Sequence, residues 1–410
     1  MKYLICAGCF AGNMGGDAMY ETAIESLKAT GNEFTILVKY PKDEVAICNK
    51  RGYRCVRFTT IDRILYGMPF FVFGSLLKKA HLPYKWLAKG PLKEYINNDV
   101  LLDFSGISFS DYRGNLDLII NITWLLPAFV TGIKTIKMPQ SLGPYERKTV
   151  HAVSKYALKR VQIIMARGDE SFNHTKELLP DHKAIINCPD IAMNLSPSDE
   201  NERIEILRRA KIPSDSAYVC LAPSIVVDQR LGHEKYCDIF SEIIRCICLN
   251  TNFNIILAPH TQSLSKAAGV DYISDDLNVC KAVRELNSEY EDRIYILSER
   301  LDCHQLKSVI GNASVAIGSR YHFLIAAMSS GVPSLALGWG YKYYEMFNLF
   351  DMQEYVFEYH DFNVELIMKK VQKLFDERDD VAHKICEKLP FVKSESKKSM
   401  EIVYECSNQR

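Results

Sequence analysis

Short apolar runs of strand length alternate along the chain with longer amphipathic stretches. In the first half the runs are YLICAG, EFTILVK, VLLDFSG, TIKMPQS and QIIMAR, at residues 3–8, 33–39, 100–106, 135–141 and 162–167. The stretch from Asp17 to Lys28, between the first two runs, has the pattern of a helix. This alternation predicts βαβ units, and therefore a parallel sheet with right-handed crossovers.

A second series of the same kind follows a polar stretch, SPSDENER, at residues 196–203. Its predicted strands are SAYVCLAPS, FNIILAPH, RIYILS, SVAIGS and SLALGW. We therefore predict an α/β fold of two Rossmann-like domains facing a cleft, at residues 1–195 and 204–375, with 196–203 as the linker and a helical tail at 376–410. Open α/β sheets bind ligands at the carboxyl ends of their strands, so the strand ends are where chemistry is expected.

Length and charge fit this picture and restrict the partners. The 410 residues suit two domains better than one core. The 50 basic and 50 acidic residues give a formal net charge of zero. A duplex-binding protein normally shows a basic excess, so we expect no nucleic-acid partner. An anion site would have to be built locally.

The cysteines predict neither a disulfide framework nor a metal site. Their number is odd, 13, and most lie inside apolar runs, which is typical of buried reduced thiols. Cys6 and Cys9 form a C-x-x-C pair that has no second pair to complete a zinc site, and Cys246 and Cys248 lack that spacing. We expect no metal and no resident cofactor.

Two segments bear on membrane contact. The apolar stretch 118–133 is shorter than a membrane span and contains Pro127, so we predict a buried helix. The segment 63–89 mixes aromatic residues with lysines. It fits either a plain pair of amphipathic helices or a surface that contacts a membrane or a lipid-linked acceptor. The N-terminus lacks the pattern of an export signal, so we expect a cytoplasmic protein, with the inner membrane face as the second location that segment 63–89 would allow.

The first strand is followed by a glycine-rich loop, AGCFAGNMGGDAM, which opens a helix that Asp17 is expected to cap. Such loops bring backbone N–H groups close to an anion or a sugar. The spacing is neither G-x-G-x-x-G nor that of a Walker loop, and a simple tight turn remains an alternative.

Cationic residues follow three other strands. Arg167 follows QIIMA, and it fits either a grip on a ligand carboxylate or phosphate or a surface pair with Asp169. Arg320 and His322 begin a helix after SVAIGS, where the helix dipole and free N–H groups favour an anion. Lys342 lies 20 residues after His322, one helix and one strand further on, and should return to the same edge of the sheet.

His322 is the side chain of its loop that can move a proton near neutral pH. We therefore expect it to act as a general acid, although a structural histidine is the alternative. Arg167, Arg320 and Lys342 would surround a small polyanion beside it.

Seven segments in order resemble the motifs of the polysaccharide pyruvyl transferases. They are GNMGGDAM, DFSGISFSD, MPQSLGPY, MARGDES, CPDIAM, SRYHFLIAAMSSGVP and GYKYYEMF, from about residue 6 to residue 348. Two departures concern the acceptor side. The first loop carries an extra glycine, and Phe104 and Ser105 stand where the family usually has glycines.

The resemblance implies a fold similar to the GT-B glycosyltransferases and phosphoenolpyruvate as the donor co-substrate. It implies transfer of the pyruvyl group to a sugar or a lipid-linked oligosaccharide as a ketal, in polysaccharide biosynthesis. The second domain becomes the expected donor side, and His322, Arg167, Arg320 and Lys342 bind or act on the donor. The first domain becomes the acceptor side, with an acceptor set in the matching loops: Asn13, Asp17, Asp103, Gln140 and Ser141. The alternatives are a nucleotide-sugar glycosyltransferase of the same fold and a sugar-binding relative without turnover.

Overall fold

The computed structural model describes residues 1–262 and 275–408, and its contacts divide the chain into two compact units. The first unit comprises Met1–Ala11, Met19–Ile191 and Glu395–Arg410. The second comprises Gly12–Ala18 and Ala192–Ser394. Residues 263–274 of the predicted second domain and residues 409 and 410 of the predicted tail lie outside the described residues.

A parallel sheet forms the centre of the first unit. Its strands are β1 (Lys2–Cys6), β2 (Glu33–Val38), β3 (Cys55–Arg57), β4 (Val100–Asp103), β5 (Ile107–Ser108), β6 (Lys134–Leu142), β7 (Ile163–Ala166) and β8 (Ile185–Asn187). They lie in the order β3-β2-β1-β4-β6-β7-β8, and the short β5 pairs with β6. All of these pairings are parallel.

Helices connect these strands. They are α1 (Met14–Ala29), α2 (Pro41–Arg51), α3 (Thr60–Asp62), α4 (Met68–Lys79), α5 (Glu94–Asn97), α6 (Asn115–Thr131), α7 (Lys148–Leu158) and α8 (Asp169–Leu178). A π-helical turn, Arg63–Gly67, joins α3 to α4 into one continuous stretch. Helix α6 contains Pro127 and leads into β6, as the apolar stretch 118–133 predicts.

The second unit repeats the plan with a smaller parallel sheet. Its strands are β9 (Tyr218–Ala222), β10 (Asn254–Leu257), β11 (Ile294–Ile296), β12 (Val315–Gly318), β13 (Ser334–Gly338) and β14 (Val356–Glu358). Its helices are α9 (Glu200–Arg209), α10 (Ile225–Leu231), α11 (His233–Asn250), α12 (Asp276–Leu286), α13 (Cys303–Ile310), α14 (Tyr321–Met328), α15 (Lys342–Asn348) and α16 (Val364–Asp376), and α17 (Arg378–Asn408) follows. The strand order is β11-β10-β9-β12-β13-β14.

The predicted strands are confirmed. They could be predicted because strands buried on both faces appear in the sequence as continuous apolar runs. Every residue of β4, β7, β9, β12 and β13 is buried. The linker predicted at 196–203 is only partly correct. Helix α9 begins at Glu200, and the Asp199 side chain caps it by accepting the backbone N–H of Glu202.

Contacts divide the chain differently from the predicted ranges in two places. Residues 12–18, expected in the first domain, belong to the second unit, and residues 395–410 of the expected tail belong to the first. The long tail helix is confirmed as α17, but it begins at Arg378.

Each sheet has a point at which the chain order reverses. Strand β1 lies between β2 and β4, and β9 lies between β10 and β12. Loops on the two sides of such a point leave the sheet in opposite directions, which opens a crevice at the carboxyl ends of the strands. The loops after β1, β4, β9 and β12 are therefore where each unit can hold a ligand.

Candidate active site

The second unit brings polar side chains together at the carboxyl edge of β9, β10, β12 and β13. At the centre is Asp276, the first residue of α12, whose side chain is fully buried. Its carboxylate accepts hydrogen bonds from Nε of Arg320 at 2.8 Å and from Nη2 at 2.6 Å. It also accepts the backbone N–H groups of Ile225 at 3.0 Å and Thr261 at 2.9 Å. One carboxylate thus joins the loops after β9, β10 and β12.

Arg320 is therefore an ion-pair partner in this structure, and its Nη1 atom lies outside the bidentate pair. Burial disfavours the guanidinium charge and the Asp276 carboxylate favours it, and the net result raises the pKa of Arg320. The arginine consequently carries its charge at this edge of the sheet over the whole physiological pH range.

His322 lies in the first turn of α14, against the glycine-rich loop. A Cβ atom added to Gly15 would be 2.2 Å from Nδ1 of His322, so the loop can approach the imidazole this closely only with glycine at that position. The ring of Tyr321 also contacts the histidine, with ring centroids 5.3 Å apart. Gly15, one of the two glycines before Asp17, thus has a structural role beside the expected general acid.

A second histidine, His260, lines a small pocket with His322, Met14 and Cys303. Burial, followed by the positive charges of His322 and Arg320, holds the pKa of His260 well below its usual 6.5. His260 is therefore neutral at neutral pH. Its carbonyl oxygen accepts the backbone N–H of Met14 at 3.3 Å, which anchors the glycine-rich loop.

Lys342 begins α15 and lies among three aromatic rings. Its Nζ is 3.8 Å from the ring centroid of Trp339, 5.3 Å from that of Tyr343 and 5.4 Å from that of Tyr321. Such rings stabilise an ammonium group through their quadrupoles. Tyr321 touches both His322 and Lys342, and β12 pairs directly with β13. This confirms that Lys342 returns to the edge of the sheet that carries His322.

The start of α1 differs from the expectation. The helix begins at Met14, so Asp17 lies inside its first turn and does not cap it. Asn13 takes that role, because its side-chain oxygen accepts the N–H of Gly15 at 2.9 Å. Asp17 instead accepts the backbone N–H of Cys303, the first residue of α13, at 3.2 Å. Asn13 and Asp17 both belong to the second unit, although we expected them in the first domain, on the acceptor side.

The other acceptor residues form a buried network in the first unit. Asp103, at the end of β4, pairs with Lys137 at 2.7 Å, and both side chains are fully buried. Gln140 accepts the Ser108 hydroxyl at 2.5 Å and donates to the backbone oxygen of Asp103 at 3.3 Å. The acceptor role of Asp103 and Gln140 stays a prediction, and their burial favours positioning of the surrounding loops.

Arg167 continues this network. The arginine is buried, forms an ion pair with buried Asp190, and donates from Nη2 to the Ser141 hydroxyl at 3.0 Å and to the Gly106 carbonyl at 3.2 Å. The surface pair with Asp169 is therefore wrong, since Asp169 accepts from Asn187 at 2.6 Å. The role of Arg167 in donor binding stays a prediction, and a donor anion would share the guanidinium with Asp190.

The expected site residues thus form two sets. Asp103, Gln140, Ser141 and Arg167 lie together in the first unit, and the second set lies in the second unit and consists of Asn13, Asp17, Arg320, His322 and Lys342. Sequence reasoning missed Asp276, Asp190 and His260. Asp190 was inside the CPDIAM segment and His260 ended a predicted strand, so position alone could have marked both. Asp276 follows no predicted strand, and only the structure shows its position.

Asp228, His233 and Cys237 could hold a metal ion, since their ligand atoms lie within 4.8 Å of one another. His233 Nδ1 is 2.7 Å from the Asp228 carboxylate, and the Cys237 sulfur is 3.8 Å from Nε2. The sequence pattern did not predict this group. We assign it no part in the chemistry below, because the imidazole and carboxylate already satisfy one another.

Solved structures share this architecture over almost the whole chain. UDP-GlcNAc 2-epimerase from Neisseria meningitidis bound to UDP-GlcNAc is 12% identical, with a TM-score of 0.63 and coverage of 99% of this chain and 100% of that one. HepE of Anabaena in complex with UDP and glucose is 12% identical, with a TM-score of 0.59 and 99% coverage of both chains. The fold is accordingly of the GT-B-like, two-Rossmann class, as predicted.

The sequence identifies the family within that fold class. The model of the polysaccharide pyruvyl transferase family matches residues 13–341, well over half of the chain, and the chain belongs to this family. The amylovoran biosynthesis protein AmsJ of Erwinia amylovora is 20% identical, and the match covers 94% of each chain. The family resemblance stated from the motifs is confirmed.

Proposed function

We propose that the protein transfers the pyruvyl group of phosphoenolpyruvate to a pair of sugar hydroxyls and forms a pyruvate ketal on a glycan. The proposal depends chiefly on one observation: Arg320, His322 and Lys342 all lie at the carboxyl edge of the second sheet, and the glycine-rich loop lies against His322. Membership of the polysaccharide pyruvyl transferase family and the name of the Erwinia relative support a glycan acceptor.

The donor explains why cations accompany the histidine. Phosphoenolpyruvate carries a carboxylate and a phosphate close together, so its binding needs several positive groups. Arg320 offers Nη1 beside its pair with Asp276, and Lys342 offers the ammonium group that Trp339 holds in place. Both side chains also stabilise the phosphate as it leaves.

The proposed reaction adds two sugar hydroxyls, one after the other, to the same carbon of the donor. The protonated imidazole of His322 gives its proton to the methylene carbon of the enol, and the adjacent carbon becomes electrophilic. One sugar hydroxyl attacks that carbon, and its proton returns to the imidazole. Phosphate then leaves with the oxygen that joined it to the enol, and the second hydroxyl bonds to the same carbon and passes its proton to the phosphate. The products are the ketal and inorganic phosphate, and no resident cofactor is needed.

In this proposal, the acceptor sugar binds at the loops after β4 and β6. Asp103, Gln140 and the Arg167–Asp190 pair fix these loops, and Ser141 lies among them. We place the reaction in the cytoplasm, on a free or lipid-linked oligosaccharide.

Release of inorganic phosphate tests the reaction. The protein is mixed with phosphoenolpyruvate and a panel of oligosaccharides that have paired free hydroxyls, and the products are checked by mass for an added pyruvyl group. Phosphate release should require both substrates. Release of a nucleotide from UDP-sugars, without any from phosphoenolpyruvate, would instead identify a glycosyltransferase. Binding of the glycans without release of either product would identify a sugar-binding relative.

A further inference from the structure

The first unit carries an unusual exposed surface at residues 60–93, which contain none of the expected site residues. The continuous helical stretch Thr60–Lys79 is, within the described part of the chain, the one helix long and apolar enough to cross a membrane by length and composition. Its outer face consists of Ile61, Leu65, Met68, Val72, Phe73 and Leu76. Phe73 is 59% exposed and Leu76 60%. Leu82 and Trp86, just beyond the helix, are exposed as well.

The opposite side of this helix is held by the protein, so the helix lies on the unit and does not leave it. Arg63 is fully buried and donates to the Thr123 hydroxyl and to the carbonyl of Phe58, at 3.0 and 2.9 Å. A Cβ atom on Gly74 would be 2.7 Å from a methyl carbon of Val130 in α6. A spanning helix would have to break these contacts and expose Arg63 to hydrocarbon, which is costly.

The charged residues beside the outer face indicate which partner binds it. Residues 63–93 contain six basic residues and no acidic one, although the whole chain has zero net charge. Lys79, Lys85, Lys89 and Lys93 are exposed and follow the outer face along the chain, and we call them the lysine set. An apolar helix face followed by lysines and an exposed tryptophan is the pattern of a helix that lies in the interface of an anionic membrane.

A second copy of the chain fits this surface less well. Closed dimers bring the same surface of both subunits together. The two lysine sets would then face one another, and no acidic side chain between residues 63 and 93 could compensate them. Anionic headgroups remove that repulsion, and the acyl boundary takes up the apolar side chains.

We propose that the outer face and the lysine set dock the protein peripherally on a membrane surface rich in anionic phospholipid. The helix lies parallel to the membrane, with the outer face inserted at the headgroup boundary and the lysine set against the phosphates. This inference does not depend on the pyruvyl transfer, because binding to vesicles is measured without substrates.

Flotation with lipid vesicles tests the proposal. The full-length protein should float with vesicles of phosphatidylcholine mixed with phosphatidylglycerol and remain unbound with pure phosphatidylcholine. Binding should weaken as salt rises from about 0.1 M to about 1 M, because the screening length falls from about 10 Å to about 3 Å. Equal binding to both vesicle types, or to neither, would overturn the proposal.

Two variants separate the contributions of charge and apolar surface. The triple variant Lys79→Ala, Lys85→Ala, Lys89→Ala should bind mixed vesicles on the order of 100-fold more weakly. The double variant Phe73→Ser, Leu76→Ser should bind at least about 10-fold more weakly and keep its dependence on salt. The matched control, Leu249→Ser with Leu286→Ser, changes two exposed leucines of the second unit and should bind like the wild type.

Sedimentation velocity of the same variants tests the alternative that a second copy of the chain covers the outer face. A dimer that the Phe73→Ser, Leu76→Ser variant converts to monomer, together with unaltered flotation, would assign the face to a second copy and refute membrane docking. The lysine variant alters only exposed side chains, so it stays informative even if the apolar variant folds poorly.

Discussion

His322 and Gly15 touch so closely that either residue constrains the other. In the proposed reaction His322 delivers a proton to the donor, and glutamine keeps a polar side chain but cannot do so. His322→Gln should reduce turnover by about 10²-fold or more and change donor affinity much less. Phosphate release and donor titration measure the two effects, and exposed His151→Gln is the control. A normal rate in His322→Gln would make the histidine structural.

A methyl group on Gly15 should also lower turnover, because it displaces the His322 imidazole. Gly15→Ala would place Cβ 2.2 Å from Nδ1 of His322, so the imidazole must turn away. A displacement of about 1 Å can cost on the order of 100-fold in rate. We expect kcat to fall more than KM rises. Gly114→Ala is the control, since nothing lies within 4 Å of an added Cβ there. Equal rates in both variants would show that the contact is not needed for catalysis.

His260 should make stability depend on pH. Its pKa is well below 6.5 in the folded protein because of burial and the nearby positive charges of His322 and Arg320. The unfolded chain, with the ordinary value, binds this proton first, so stability should fall as pH drops below about 6.5, by at most about 1.4 kcal/mol per pH unit. Thermal unfolding between pH 7 and pH 5 measures it. His260→Gln should show a smaller decrease, and an equal decrease would assign the effect to other groups.

At the scale of single residues, the sequence predicted which side chains lie at strand ends but not what they bind. Arg320 and Arg167 were expected to meet a ligand, which stays a prediction, and each also forms an ion pair with a buried carboxylate, Asp276 or Asp190. Those partners are distant in sequence, 44 and 23 residues away. Periodicity and local motifs carry no information about such pairings, which depend on how the loops pack.

At the scale of elements, Asp276 connects three loops of the second sheet. Asp276→Ala removes the partner of Arg320 and the acceptor for two backbone N–H groups. Breaking a buried pair from one side should lower the free energy of unfolding by about 3 kcal/mol. Denaturant unfolding measures the change, and Glu365→Ala, which removes an exposed pair with Lys369, should cost less than about 1 kcal/mol. Similar losses in both variants would contradict the central role of Asp276.

Fully buried strands were easy to predict, whereas several short and partly exposed strands were not, with the three-residue β11 as an exception. Strands β4, β9 and β12 appear as apolar runs because both of their faces are covered. Strands β3, β8 and β14 have three residues each and are partly exposed, so no run marks them. The parallel direction of the strands still follows from the βαβ alternation, and this placed His322 and Lys342 at one edge correctly.

At the scale of the whole molecule, the donor should stabilise the native protein. A ligand that binds only the folded state adds about 2.7 kcal/mol at 100 times its dissociation constant. Phosphoenolpyruvate should therefore raise the melting temperature, and UDP-sugars should raise it less. Lys342→Ala should lose about 2 kcal/mol of donor affinity and most of the shift. This variant is preferable to Arg167→Ala, which would leave buried Asp190 without its partner. A shift with UDP-sugars alone would overturn the donor assignment.

The fold class and the family followed from sequence, whereas the assignment of residues 12–18 and 395–410 to their units did not. The motifs are local and ordered, so they identify the family without any knowledge of packing. Residues 12–18 belong to the second unit because Asn13, Met14 and Asp17 bond to Thr261, His260 and Cys303. Such long-range contacts leave no periodic signal in the chain.

The pair of Asp276 and Arg320 has a consequence for how relatives of this protein diverge. Asp276 serves two backbone N–H groups besides the arginine, so a lineage that loses Arg320 still needs an acceptor at position 276. The reverse order of change would leave a buried guanidinium without its counter-ion. Position 276 should therefore vary less than position 320 among descendants that no longer carry out the proposed reaction. Replacements at 276 should be found only in sequences whose arginine has already gone.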